Sequence, residues 1–190
     1  MAIVQAEERD IEWISELQAS EYAVEDAVSR EILLAWFRRN PGGFSVIENT
    51  RGERIGHIDV LPLNTEAASS FLQGRVGERD IRPEWIFTPA EKGQIRDLYI
   101  ESIIINKAAR VSGARALQSV FRKFSSLAAR LCDPGQVRDI YAIEATVAGK
   151  NLMMKIGFER YGEANVRSDD HEMFRLSAAT LRANVQKWIC

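Results

Sequence analysis

The middle of the chain carries the strongest constraint on its fold. An apolar run, Leu98-Tyr99-Ile100-Glu101-Ser102-Ile103-Ile104-Ile105, leads through a short polar loop into an amphipathic stretch. That stretch places Leu117, Val120, Phe121, Phe124, Leu127, Ala128 and Leu131 on one helical face. Asp133-Pro134-Gly135 stops the helix, and Ile140 to Ala145 reads as the next strand. Strand, helix and strand in this order, from Gln94 to Ala145, predict a right-handed parallel crossover. The loop, Arg110-Val111-Ser112-Gly113-Ala114-Arg115, opens onto a helix start, where free backbone N–H groups and the positive end of the dipole favour an anion. A phosphate-bearing cofactor is the natural ligand of such a loop.

The rest of the chain supplies the flanks. Ile3 to Ala6 reads as a short strand. Asp10 is positioned to cap a helix with Trp13, Ile14 and Leu17 at helical spacing. A second helix is expected over about Val24 to Arg39, stopped by Asn40-Pro41-Gly42-Gly43. Phe44 to Glu48 and Ile55 to Leu61 form a hairpin around the turn at Asn49 to Arg54, with Pro62 ending the return strand. From Leu63 to Gly93 the pattern weakens into a long connection, of the kind that is often functional. A short helix over Ala148 to Lys155 closes on Ile156-Gly157-Phe158, and a last strand pair covers Phe158 to Tyr161 and Met173 to Leu176. The order predicts a mixed α/β (α+β) domain over residues 1–176, with a mostly antiparallel sheet and helices on both faces, then a helical tail over 177–190.

Composition narrows the class. The chain has 190 residues, 25 basic and 27 acidic, for a net charge of -2, which gives no support to a general nucleic-acid binder. Cys132 and Cys190 are far apart and offer neither a disulfide framework nor a metal pattern. Cys132 reads as a small apolar filler. Met1 to Glu8 lacks the basic and apolar regions of a signal peptide, and no stretch approaches the roughly 20 apolar residues of a membrane span. The expectation is a cytoplasmic protein without membrane or nucleic-acid partners. The Leu63–Gly93 connection and the tail ending in Trp188-Ile189-Cys190 offer surfaces for a homodimer, the commonest symmetric assembly.

The central segment resembles the GNAT superfamily of acyl-CoA-dependent N-acyltransferases. In that family a strand ending in an apolar triplet leads to a loop of pattern Arg/Gln-x-x-Gly-x-Gly/Ala and then a helix. Here Arg110 to Arg115 match the pattern, except that Arg115 takes the place of the second small residue. A second stretch, Leu152-Met153-Met154-Lys155-Ile156-Gly157-Phe158, is similar to the family's Leu-Tyr-x-Lys-Leu-Gly-Phe, with Met153 at the tyrosine. The resemblance implies acetyl-CoA as cosubstrate, no metal, and a small-molecule or protein amine as acceptor. It implies that Ile103, Ile104 and Ile105 meet the pantetheine arm. It implies that Arg110, Val111, Ser112, Gly113, Ala114 and Arg115 wrap the pyrophosphate.

Acyl transfer from a thioester to an amine needs a proton acceptor and donors for a developing oxyanion. Strand alternation puts Asp97, Tyr99, Glu101, Ile103 and Ile105 on one face. Titratable groups in a row on a central strand are costly to bury without purpose. Glu101 and Asp97 are therefore candidate bases, and Tyr99 is a candidate acid or orienting group. The alternative is that these groups sit at a solvated strand end and do no chemistry. Glu144 is expected beside Glu101, and Trp85 over the substrate. His57 reads as a base or as a structural residue, and His171, among Asp169, Asp170 and Glu172, as part of a solvated turn. An acidic cluster of Asp97, Glu101 and Glu144 suits a cationic acceptor such as a polyamine, an aminoglycoside or a protein amine. Met153 in place of a tyrosine leaves open a second reading, a non-catalytic acyl-CoA-binding or partner-binding module on the same fold.

Overall fold

The computed structural model describes residues 1–24, 26–106, 120–133 and 135–189. Among the described residues seven strands form one sheet. They are β1 (Ala2–Gln5), β2 (Phe44–Glu48), β3 (Arg54–Leu63), β4 (Asp97–Ile105), β5 (Asp139–Ile143), β6 (Glu159–Gly162) and β7 (Met173–Ser177), in the order β1-β2-β3-β4-β5-β7-β6. Neighbours are antiparallel except β4 and β5, which run parallel as the crossover requires. Among the described residues the helices are α1 (Asp10–Glu21), α2 (Arg30–Arg39), α3 (Thr65–Ser70), α4 (Phe124–Leu131), α5 (Val147–Ile156) and α6 (Ala178–Ile189). No described helix is long and apolar enough to cross a membrane.

Both faces of the sheet are covered, as the element order predicts. On one face Ile11 and Ile14 of α1 and Leu33, Trp36 and Phe37 of α2 pack over Val46, Leu61 and Tyr99. On the other, Phe124, Leu127 and Leu131 of α4 and Met153 and Ile156 of α5 pack over Ile58, Val60, Leu98 and Ile100. The helical face read from Val120 to Leu131 is buried as one stripe, and Cys132 is buried at its end; Leu117 lies outside the described residues. Burying each large apolar side chain contributes roughly 1.5–3 kcal/mol before entropy is set against it.

Three expectations are corrected. The second helix begins at Arg30, because Ser29 caps it by accepting from the Ile32 N–H at 3.4 Å. Asp10 lies in the first turn of α1, where its carboxylate accepts from the Glu7 N–H at 2.8 Å and pairs with Arg54 at 2.5 Å. Pro62 does not end its strand. Its carbonyl turns away from β4 to accept from the Phe87 N–H at 2.9 Å, so the missing N–H falls on an edge that β2 has already left.

Candidate active site

The site is built where β4 leaves β5. Their ladder ends with Ile100 opposite Ala142, and beyond it the strands part. A cavity of about 490 Å³ occupies the fork, closed by the first half of α5 and by Phe121 and Phe158. Its apolar end is lined by Ile100, Ile103, Ala142, Leu152 and Met153, and its polar end by Tyr22, Asp26, Glu78, Glu101, Ser102 and His171. Ile104 and Ile105 also line it.

A bulge in β4 creates the polar end. Opposite β3, Ser102 pairs with Asp59 and Ile100 with Val60, so Glu101 is the extra residue. Glu101 and Ser102 therefore both face α1. This corrects the simple alternation expected from sequence: Tyr99 and Glu101 share a face, but Ile103 and Ile105 pack into the opposite core. The last turn of α1 and the residue that caps it meet both bulge residues. Gln18 Nε2 donates to both carboxylate oxygens of Glu101 at 3.0 Å, and the Tyr22 hydroxyl lies 2.9 Å from Ser102 Oγ. Gln18 lies in the last turn of α1 and Tyr22 caps that turn in an extended conformation, its N–H donating to the Gln18 carbonyl, so consecutive residues of β4 are held by the end of α1 and its cap.

Glu78 is the residue that sequence reasoning missed. It lies in the irregular connection between α3 and β4, where no periodicity marks it. The fully buried Tyr99 reaches the cavity through it, donating its hydroxyl to Glu78 Oε1 at 2.5 Å. The connection is fixed immediately after Glu78. Arg79 donates to the Val24 carbonyl at 2.6 Å, and Trp36 Nε1 donates to the Ile81 carbonyl at 2.8 Å. Burial pushes the Glu78 carboxyl up to about 8, with Asp169 and Asp26 adding to the rise and the Tyr99 hydrogen bond and Arg79 opposing it. Burial also pushes Glu101 well above the usual carboxylate range, helped by Glu78 and Asp59 and opposed by Gln18. The Tyr99 phenol is raised well above its usual value by burial and then by Glu78.

The structure does not bring every candidate to the cavity. Asp97 begins β4 beside Asp139 and pairs with Arg138 at 3.4 Å, away from the fork. Burial raises its carboxyl, opposed first by Arg138. Glu144 pairs with Lys150 of α5 at 3.0 Å instead of standing beside Glu101. Trp85 is buried in the core beneath α2 with Arg82 stacked over it at 4.4 Å, so it covers no substrate. His57 is wholly buried on Asp59 at 2.9 Å and does not line the cavity. His171 is no solvated turn residue: it faces the cavity and meets Asp26 at 3.0 Å, while Asp169 accepts two bonds from the buried Arg167 at 2.9 and 2.6 Å. Arg110, Val111, Ser112, Gly113, Ala114 and Arg115 lie outside the described residues. Among the described residues no group of three or more His, Cys, Asp or Glu is arranged to hold a metal.

No protein-family model matches the sequence, and no curated protein does. Solved structures match in shape over nearly the whole chain. The GNAT-like decarboxylase GphF, solved with isobutyryl-CoA, is 16% identical with a TM-score of 0.64, covering 94% of this chain and 100% of its own. The spermidine/spermine N-acetyltransferase SpeG from Vibrio cholerae is 14% identical with a TM-score of 0.53, covering 96% and 97%. FdhC, a nucleotide-linked sugar GNAT, is 12% identical with a TM-score of 0.57, covering 98% and 92%. The forked seven-stranded sheet, with helices on both faces, has the fold of the GNAT superfamily.

Proposed function

We propose that the protein is an N-acyltransferase that moves an acetyl group from acetyl-CoA to a primary amine. The observation that carries this reading is the fork itself: an apolar slot between β4 and β5 opens onto a polar end whose wall holds the Glu78–Tyr99 pair. A pantetheine arm carries amide groups that can lie along the strand edge released by β5, as an added strand would, beside Ile103 to Ile105. Residues Arg110 to Arg115 are assigned to the pyrophosphate on their sequence pattern.

The amine enters from the polar end as a neutral nucleophile. Its nitrogen attacks the thioester carbon, and a nitrogen proton passes to the carboxylate of Glu78, whose proton affinity suits an acceptor working near neutral to mildly alkaline pH. Tyr99 orients that carboxylate. Glu101, tied by both oxygens to Gln18, holds the acceptor's position. Among the described lining residues there is no Lys or Arg, while Glu21, Asp26, Glu78 and Glu101 all contribute oxygens that accept hydrogen bonds, so acceptors that carry several amino groups are favoured. Polyamines are the first to try, since an enzyme with this fold is a spermidine/spermine acetyltransferase.

The test is thiol release from acetyl-CoA with a panel of amines, run beside thermal unfolding with CoA. Release that falls by about a hundredfold in Glu78→Gln supports the assignment. Stabilisation by CoA without release across the panel supports the second reading, a binding module, which Met153 in place of the resembling pattern's tyrosine favours. No stabilisation at all removes the acyl-CoA site.

A further inference from the structure

The hydroxyls on the cavity wall are few. Among the described lining residues they belong to Tyr22, Ser102 and Thr146. Thr146 caps α5, its Oγ1 accepting from the Gly149 N–H at 3.0 Å, and among the described residues no side-chain hydroxyl stands against it to aim its proton. Tyr22 and Ser102 face each other at 2.9 Å. Two hydroxyls hold two protons, and only one is used between them. A phenol is far more acidic than an aliphatic hydroxyl, so it is the better donor. With the Tyr22 O–H donating into Ser102 Oγ, the serine proton is left to point elsewhere. Ser102 follows the bulge directly, at the mouth of the fork.

Acyl transfer leaves a thiolate to be accommodated. When the C–N bond forms and the C–S bond breaks, the electron pair of that bond goes to sulfur. One proton leaves nitrogen for Glu78, which returns it to solvent, and sulfur gains one from solvent, so the sum is balanced. Resting on the acyl-transfer reading above, we propose that Ser102 is the hydrogen-bond donor to the leaving sulfur and that Tyr22 is its positioning residue. A donor that is itself an acceptor from a phenol is polarised, which strengthens the bond it makes. Burial raises the Tyr22 phenol, so Tyr22 keeps its proton throughout and supplies orientation instead of acid. The α5 residues that line the cavity, Ala148, Gly149, Leu152 and Met153, carry no side-chain proton to donate.

The test compares kcat and KM for thiol release in Ser102→Ala, Tyr22→Phe and the double variant, with thermal unfolding to confirm folding. Ser102→Ala is expected to lower kcat by about 10²-fold, as removal of one preorganised donor does, with KM for acetyl-CoA little changed. Tyr22→Phe costs less, and the double variant is no worse than Ser102→Ala, because the phenol acts only through the serine. Ser102→Cys keeps the volume with a poor donor and covers the case in which Ser102→Ala packs badly. An active parent whose Ser102→Ala and Ser102→Cys forms keep kcat within about twofold overturns the assignment alone, and so do single losses that multiply in the double variant. A parent that binds acetyl-CoA but releases no thiol overturns the transfer reading, and this assignment with it.

Discussion

The Tyr99 hydroxyl donates to Glu78 across 2.5 Å, joining the middle of β4 to a segment that has no regular partner strand there. A buried phenol on a central strand and a carboxylate from an irregular connection thus form one titrating unit at the cavity wall.

This unit sets the expected pH dependence. Only the carboxylate form of Glu78 accepts a proton, so kcat/KM rises as pH passes through about 8. The Tyr99 hydrogen bond favours that carboxylate. Tyr99→Phe should therefore move the midpoint to higher pH while lowering the rate below it. A pH profile of thiol release checks this, and an unmoved midpoint would assign the titration to another group.

The same group trades stability for chemistry. Its folded carboxyl titrates near 8 against an ordinary value of 4.5, so the unfolded chain gives up its proton first as pH rises. Stability is lost through that window, from about 4.5 to about 8. Glu78→Gln removes the loss: its melting temperature should match the parent near pH 4 and exceed it increasingly toward pH 8. Thermal unfolding across pH reads the difference, and a gain independent of pH would mark a packing effect instead.

Gln18 is wholly buried and serves Glu101. Gln18→Leu deprives a buried carboxyl of its donor and should cost about 1–3 kcal/mol in denaturant unfolding. Glu101→Gln keeps an amide partner and should cost less. Equal stability of Gln18→Leu and the parent would show that Glu101 draws its stabilisation from elsewhere.

Gly149 tests the cavity. A Cβ there meets only Thr146 Oγ1 at 3.1 Å, so a longer side chain extends into the slot. Gly149→Leu should leave the melting temperature near the parent's, because the gain over glycine in a helix, up to about 0.8–1 kcal/mol, is offset by crowding of the Thr146 cap. It should weaken acetyl-CoA binding by at least about tenfold, the equivalent of about 1.4 kcal/mol. Unchanged binding in calorimetry would place the acyl-CoA path away from α5.

Much of the fold was legible in sequence because it is written locally. The stripe from Val120 to Leu131, the stop at Asn40-Pro41-Gly42 and the Gly157 turn, which takes φ 105, are each dictated within a few residues. The parallel crossover followed from element order and chain handedness. The assignment of Ile103 to Ile105 to the cofactor rests on the family resemblance alone, and they line the cavity.

The site's chemistry was legible only in part. Glu101 could be singled out as a carboxylate on an apolar strand, but its partner Gln18 lies 83 residues away. The bulge at Glu101, which turns Ser102 toward α1 and sends Ile103 to the other core, is a mismatch between two strands and leaves no mark on either alone. Glu78 sits in a connection without period, positioned by Trp36 and Arg79 contacts that local spacing does not encode. The sequence by itself determined which segments become strands and helices, because periodicity and turn chemistry act over neighbouring residues. The tertiary structure decided which carboxylates meet the cavity, because register, burial and charge depend on groups far apart in the chain.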